Sequence, residues 1–248
     1  MHTDSLQGKT VLVTGAGSGL GEATARAFAR AGCSVVCVDI NGKAAGQVSS
    51  DLESLQGARS IAIQCDVGDA QSVIYTVQMS REQFKSLDIV VNCAAIDYTL
   101  PVDTMTIEQW DRVIGVNLRG PFLFAKAALP LMQEQHSGHI INIASTAATR
   151  AWANAAAYHA SKWGLLGLSR ALGVEGRAHG IRVTTIIPGG MRTHFFDHFK
   201  EEGVPMPDEH NLQDPATVAD VIVYATTVPP ESALQEIIIT PLTETSWP

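Results

Sequence analysis

From Glu201 to Pro248 the sequence contains no lysine or arginine, although it contains nine acidic residues. The whole chain of 248 residues has 17 Lys+Arg against 25 Asp+Glu, a formal net charge of −8. The first 200 residues hold 17 basic and 16 acidic groups, so the acidity belongs to the last fifth. With no basic cluster, nucleic acid and anionic membrane surfaces are excluded as main partners. Charge is scarce throughout, at 17% of residues. Soluble domains usually reach about 25%, so the sequence predicts surface covered by other subunits.

Other absences narrow the class further. No apolar run approaches the ~18 residues that span a bilayer. Met1 to Gly8 lacks the basic and apolar stretches of a secretory leader. The only cysteines are Cys33, Cys37, Cys65 and Cys93, without a C-x-x-C pair. They lie in or beside apolar runs such as Ser34–Val38, which predicts buried thiols, no metal and a reducing, cytoplasmic setting. There is no low-complexity linker or internal repeat, and no composition break marks a second domain. At 46% hydrophobic residues the chain can bury a large core.

What is present is an alternation of short β-branched runs with longer helical patterns. Thr10–Thr14, Ser34–Asp39, Ser60–Gln64, Leu87–Asn92, His139–Ala144, Arg182–Ile187 and Glu236–Thr240 read as strands. Leu20, Ala23, Ala27, Phe28 and Ala31 mark a first helical face, and Val48, Leu52 and Leu55 a second. Further helices are predicted over about 69–85, 106–117, 122–135 and 155–179. Asp214-Pro215 reads as an N-cap with proline at the first helical position. Nearly continuous apolar strands alternating with helices predict one α/β domain over 1–248, a doubly wound parallel sheet with helices on both faces.

Thr14-Gly-Ala-Gly-Ser-Gly-Leu-Gly21 lies between the first strand and the first helix. Glycines let the chain turn sharply and approach a pyrophosphate, which the helix N-terminus favours. Asp39 ends the second strand about 20 residues on. A carboxylate there can accept from adenosine ribose hydroxyls and repels a 2′-phosphate, which points to NAD rather than NADP. It can also cap the turn at Asn41-Gly42. Asp66 ends the third strand and on position alone reads equally as a turn residue. Tyr158 and Lys162 are four apart on one helical face. An ammonium can lower a tyrosine pKa toward neutrality, although such pairs are common on ordinary helices.

Together these features resemble the classical short-chain dehydrogenase/reductases over essentially the whole chain. Thr14-Gly15, Gly19 and Gly21 match the family's T-G-x-x-x-G-x-G, and Asp66-Val67 its adenine-contacting pair. Asn92-Cys-Ala-Ala95 stands where N-N-A-G is usual. Asn117 lies in Val-Asn-Leu-Arg-Gly, Ser145 follows the fifth strand, and Pro188-Gly-Gly-Met-Arg-Thr193 matches P-G-x-x-x-T. The resemblance implies an NAD-dependent oxidoreductase moving a hydride between the cofactor and a secondary alcohol or ketone. It implies Tyr158 as acid/base, Lys162 lowering its pKa and holding the nicotinamide ribose, Ser145 on the substrate oxygen, and Asn117 supporting a proton-relay water. It implies a cofactor site made of Thr14, Gly15, Ser18, Gly19, Leu20, Gly21, Asp39, Ile40, Asp66, Val67, Asn92, Ala94, Tyr158, Lys162, Pro188, Gly189, Met191 and Thr193.

Ala95 departs from the family glycine and puts the local geometry in question. The last strand lacks the usual aspartate-glycine-glycine ending. It runs into a tail closing at Trp247-Pro248, loosely like the 3-hydroxy acid dehydrogenase branch, which tends to use NADP. An NADPH-dependent biosynthetic ketoreductase and a low-turnover nicotinamide-binding regulator are therefore the competing readings. Residues 193–212, with His194, Phe195, Phe196, His198, Phe199 and Met206, are expected to form a substrate lid, with Trp152 and Tyr98 candidate pocket walls. His194 and His198 have zinc-pair spacing but no third ligand. Small residues Ala155–Ala157, Ala160, Gly164 and Gly167 suit either intrachain packing or the family's dimer and tetramer interfaces. The acidic last fifth favours a small, neutral or weakly charged substrate over an anionic carrier.

Overall fold

A computed structural model describes residues 6–54 and 58–244. Leu55 and the Trp247-Pro248 ending lie outside these residues. Seven strands form one parallel sheet in the order β3-β2-β1-β4-β5-β6-β7. They are β1 Thr10–Thr14, β2 Ser34–Asp39, β3 Arg59–Gln64, β4 Ile89–Asn92, β5 Gly138–Ile143, β6 Ile181–Pro188 and β7 Glu236–Ile239. The helices are α1 Gly19–Arg30, α2 Gly42–Glu53, α3 Ala70–Phe84, α4 Ile107–Ile114, α5 Gly120–Glu134, α6 Ala156–Gly176, α7 His198–Glu202 and α8 Pro215–Thr227. The order reverses between β1 and β4, which opens a crevice at the strands' carboxyl ends.

Side-chain alternation along buried strands fills two cores. Val11, Val13, Val35, Cys37, Ile89 and Val91 pack under α1, α2 and α8, around Phe28 and Ile222. Leu12, Val36, Val38 and Val90 pack on the other face with Phe124, Met132 and Leu172 of α5 and α6. Truncating a fully buried phenylalanine such as Phe28 typically costs ~3–5 kcal/mol. The four cysteines are free thiols, and burial pushes Cys33 up to about 12 and Cys37 to about 11. Among the described residues no helix is long and apolar enough to cross a membrane.

Helix starts follow the expected chemistry. Asp214 accepts the Ala216 N–H at 2.8 Å and Asp69 the Ser72 N–H at 2.7 Å. Such caps contribute about 1 kcal/mol each. The sequence predicts two helices separated near Gly120-Pro121, but the chain does not leave the helix there. A π turn over Gly115–Arg119 joins α4 directly to α5, and Arg119 keeps helical torsions of φ −65° and ψ −38°. Proline is tolerated at this first turn because its missing N–H needs no partner there. The small residues of α6 divide. A Cβ on Gly164 would lie 2.8 Å from Leu118 Cδ2, so this glycine serves contact within the chain, whereas Gly167 faces open space.

Candidate active site

The crevice between β1 and β4 holds a cavity of about 510 Å³. Its floor begins at the glycine turn. Gly15 and Gly19 have φ of +67° and +55°, the region that favours glycine. A Cβ on Gly21 would sit 2.0 Å from the Gly15 carbonyl oxygen, so only glycine lets α1 start so close to β1. Ser18 caps α1 without a side-chain hydrogen bond, leaving first-turn N–H groups for an anion. Thr14 does not line the cavity. Its Oγ1 accepts the Cys93 and Ala94 N–H groups, both at 3.0 Å, and ties β1 to β4 beneath it. Asn92 is likewise buried below, donating to Asn142 Oδ1 at 2.8 Å. Ala95 lines the wall without positive φ, so its methyl is accommodated where the family has glycine.

Asp39, Ile40, Asp66 and Val67 line the far end of the cavity. Asp39 Oδ2 accepts the Gly17 N–H and Oδ1 the Asn41 N–H, both at 2.9 Å. The acid thus both caps its turn and faces the cavity, with Asn41 capping α2 through the Ala44 N–H. Asp66 accepts the Gly68 N–H at 2.9 Å and pairs with Arg112 at 2.8 Å. Burial pushes this carboxyl up, but Arg112 and the Gly68 N–H outweigh burial and hold it below the usual carboxylate range. Arg112, which also lines the cavity, is not singled out by any sequence motif; it lies 46 residues from its partner.

Tyr158, Ser145 and Lys162 meet at the other end. Lys162 is 2% exposed, and its ammonium donates to the Ile143 carbonyl at 2.8 Å. Burial brings its pKa down to about 8, against the opposing pull of Cys93 and Asp97. In this structure Lys162 does not direct its ammonium at the Tyr158 hydroxyl. Burial raises the Tyr158 pKa, with Asp97 and Cys93 adding to the rise; a Ser145 hydrogen bond works the other way. The reason is geometric: Lys162 Nζ lies over the tyrosine ring, 5.5 Å from its centroid, and is bonded to Ile143.

Asn117 is buried in the π turn and does not line the cavity. Its Nδ2 donates to the Ile96 carbonyl at 2.8 Å and to Ser161 Oγ at 3.2 Å; its Oδ1 accepts the Ile96 N–H at 2.9 Å. It fixes the wall after β4 against α6. His159 does the same for the Ser145 loop. Its Nε2 accepts the Trp152 N–H at 3.1 Å, so Nδ1 carries the proton it donates to the Ala147 carbonyl at 2.9 Å. Sequence reading passed over His159, although it adjoins Tyr158.

Pro188, Gly189, Met191 and Thr193 line the cavity where β6 ends, and the Thr193 side chain would contact a Cβ on Gly19 at 3.3 Å. Phe195 and Phe196 close over the site, with the Phe195 ring 5.6 Å from that of Tyr158. Trp152 lines the cavity and Tyr98 does not. His194 bonds Asp197 at 3.0 Å, and His198 Nδ1 the Phe195 carbonyl at 2.8 Å, so the two rings are engaged separately. Among the described residues no three His, Cys, Asp or Glu side chains are grouped to hold a metal.

The arrangement is a long cleft. At one end are an anion cradle and two carboxylates; at the other a half-buried hydroxyl beside a buried phenol and amine. The glycine cradle, where a Cβ on Gly15 or Gly21 would strike backbone, matches an extended dinucleotide laid across the switch point. The family model for short chain dehydrogenases matches residues 9–203. D-threitol dehydrogenase of Mycolicibacterium smegmatis is 39% identical over 74% of this chain and 70% of its own. An alcohol dehydrogenase from the archaeon Thermococcus sibiricus, solved with 5-hydroxy-NADP, superposes with a TM-score of 0.86 at 25% identity, covering 94% of this chain and 97% of that one. A metagenomic short-chain oxidoreductase with NADP has a TM-score of 0.82 at 31% identity, covering 96% and 98%. On matched motifs, fold and relatives alike, the chain belongs to the short-chain dehydrogenase family.

Proposed function

We propose that the protein is an NAD-dependent dehydrogenase of a small secondary alcohol or the corresponding ketone. The observation that carries this reading is one cavity with Asp39 at one end and Tyr158, Ser145 and Lys162 at the other. As a member of its family the protein is an oxidoreductase that uses a nicotinamide cofactor.

Gly15, Ser18, Gly19, Leu20 and Gly21 would hold the pyrophosphate, with Thr14 and Asn92 fixing the floor and Ala94 beside it. Asp39 and Ile40 would take the adenosine ribose, and Asp66 and Val67 the adenine. Pro188, Gly189, Met191 and Thr193 would flank the nicotinamide, which supplies or accepts the hydride when bound. The chain's own residues do the rest. Ser145 Oγ orients the substrate oxygen toward Tyr158. Tyr158 takes the alcohol proton in oxidation and returns it in reduction. Because burial opposes the phenolate, Lys162 must turn its ammonium from Ile143 toward the Tyr158 hydroxyl and the nicotinamide ribose. Asn117 holds the wall from which a water can relay the proton of Lys162. Residues 193–212 act as a lid, with Phe195 and Phe196 excluding water.

Asp39 distinguishes NAD from NADP because a fixed carboxylate repels a 2′-phosphate. The NADP forms bound to two solved relatives favour the second reading, an NADPH-dependent ketoreductase. The name of the Mycolicibacterium relative favours a polyol-like alcohol. We also infer a homodimer or homotetramer, since Ile107, Trp110, Phe122 and Trp163 leave large apolar surface exposed along α4 to α6. The test is a panel of secondary alcohols and ketones with each cofactor, followed by nicotinamide absorbance. Turnover with NAD well above NADP supports the reading; equal use of both overturns the cofactor assignment.

A further inference from the structure

Asp97, next to Ile96 in the cavity wall, is a half-buried carboxylate that the proposed chemistry does not use. Its Oδ1 accepts the Tyr98 N–H at 2.8 Å, and its Oδ2 the Thr99 hydroxyl at 3.2 Å. Thr99 reaches across to α7. Its N–H donates to Glu202 Oε2 at 3.0 Å, and its Oγ1 lies 3.4 Å from His198 Nε2. His198 Nε2 is also 3.8 Å from Glu202 Oε2, and the two side chains are only 21% and 14% exposed. The lid is therefore clasped to the loop after β4 by two carboxylates, a hydroxyl and an imidazole.

The Phe195 carbonyl only accepts, so His198 Nδ1 donates to it. The Thr99 hydroxyl donates to Asp97 Oδ2, and its oxygen faces His198 Nε2. The clasp therefore sets two carboxylates against one imidazole, with acidic groups in excess. Burial favours protonated Asp97, the Tyr98 N–H and His198 oppose it, and Glu202 adds to it.

We propose that this clasp selects substrate by charge, with Asp97 and Glu202 as specificity-determining residues that admit alcohols carrying a further hydroxyl or ammonium group and reject those carrying a carboxylate or phosphate. It rests on the dehydrogenase reading and narrows its substrate. Phe195 lies between the acid/base and the clasp, its ring 5.6 Å from Tyr158 and 5.9 Å from His198. Asp97, His198 and Glu202 stand behind the cavity wall formed by Ile96 and Phe195 rather than in its lining, so they act on a substrate at Tyr158 through charge, as Asp97 acts on Tyr158 and Lys162. Among the described residues, the other charged or titratable groups that interact with Asp97 are Tyr158 and Lys162 of α6 and His198 and Glu202 of α7.

Propylene glycol, isopropanolamine and lactate share one reacting carbon and differ only in the neighbouring group: hydroxyl, ammonium or carboxylate. The purified enzyme with its cofactor is expected to show kcat/KM at least about tenfold higher for either of the first two than for lactate. Asp97→Asn and Glu202→Gln should each narrow that ratio several-fold, and Asp97→Glu should restore it. Thr99→Val cuts the clasp but keeps the carboxylates, so it should change KM for all three together and leave the ratio. Lactate used as well as propylene glycol, or a ratio that neither charge-removing variant moves, overturns the proposal. Should Asp97→Asn fail to fold, Glu202→Gln decides. Failure of every alcohol and ketone with both cofactors instead sinks the dehydrogenase reading. Charge selection is then judged by calorimetric binding of the same three compounds, where equal affinity for lactate overturns it.

Discussion

The backbone N–H of Gly17 donates to Asp39 Oδ2 at 2.9 Å, so the glycine turn and the acid ending β2 hold each other in position. Replacing Asp39 by alanine together with Ile40→Arg should move cofactor preference toward NADP by about tenfold or more, since the change exchanges repulsion of a 2′-phosphate for attraction. The ratio of kcat/KM for the two cofactors reports it. An unchanged ratio would remove Asp39 as the discriminator.

Gly21→Ala should damage fold and cofactor site together. Its methyl would sit 2.0 Å from the Gly15 carbonyl oxygen, a backbone atom that cannot swing aside. Overpacking of this kind costs ~1–3 kcal/mol. A lower melting temperature together with weaker nucleotide binding in a titration is expected. Gly167→Ala, at a position with open space, should show neither.

Tyr158→Phe should abolish nearly all turnover while nucleotide still binds, because the phenol oxygen moves the proton and the ring only packs against Phe195. Substantial residual turnover with intact nucleotide binding would refute Tyr158 as the acid/base.

Lys162 gives a pH-dependent signature. Its pKa falls from an ordinary 10.5 to about 8, chiefly through burial. Below about 8 both folded and unfolded chains hold the proton, and the buried ammonium is a standing cost. Between there and 10.5 the unfolded chain holds more protons, so stability contributed by this group rises with pH. Lys162→Met should therefore be more stable than the parent near neutrality, by up to a few kcal/mol, and the gap should close above pH 8. Thermal melts across that range test the sign, and a gap that widens with pH would contradict it. The variant should also lose turnover.

Much of this was legible in the sequence, and what was not has a common cause. β1, β2 and β5 read correctly because strands buried on both faces need uninterrupted apolar runs. The glycine turn, Asp39 and the Tyr158–Lys162 pair were visible because each is local in the chain. Thr99 and Glu202 are 103 residues apart, and no periodicity announces such a contact. The π turn was hidden because Gly120-Pro121 carries the composition of a helix break. The orientation of Lys162 was hidden because spacing sets which residues are neighbours, not that the ammonium would be directed at the Ile143 carbonyl.

The π turn at Gly115–Arg119 also bears on which length changes this chain can tolerate. It accommodates one residue more than an α-helical turn would. A one-residue change within the regular turns of α4 or α5 would rotate everything beyond it by roughly 100° and turn the apolar face of α5 away from the sheet. At the π turn itself, losing a residue restores a regular helix and keeps those faces in place, but frees Asn117 from Ile96 and Ser161. An insertion in the loop between α8 and β7 meets no such coupling. Length variation among descendants of this sequence should therefore collect in loops of that kind and avoid the middle of its longest helical run, even though both stretches look equally unremarkable in composition.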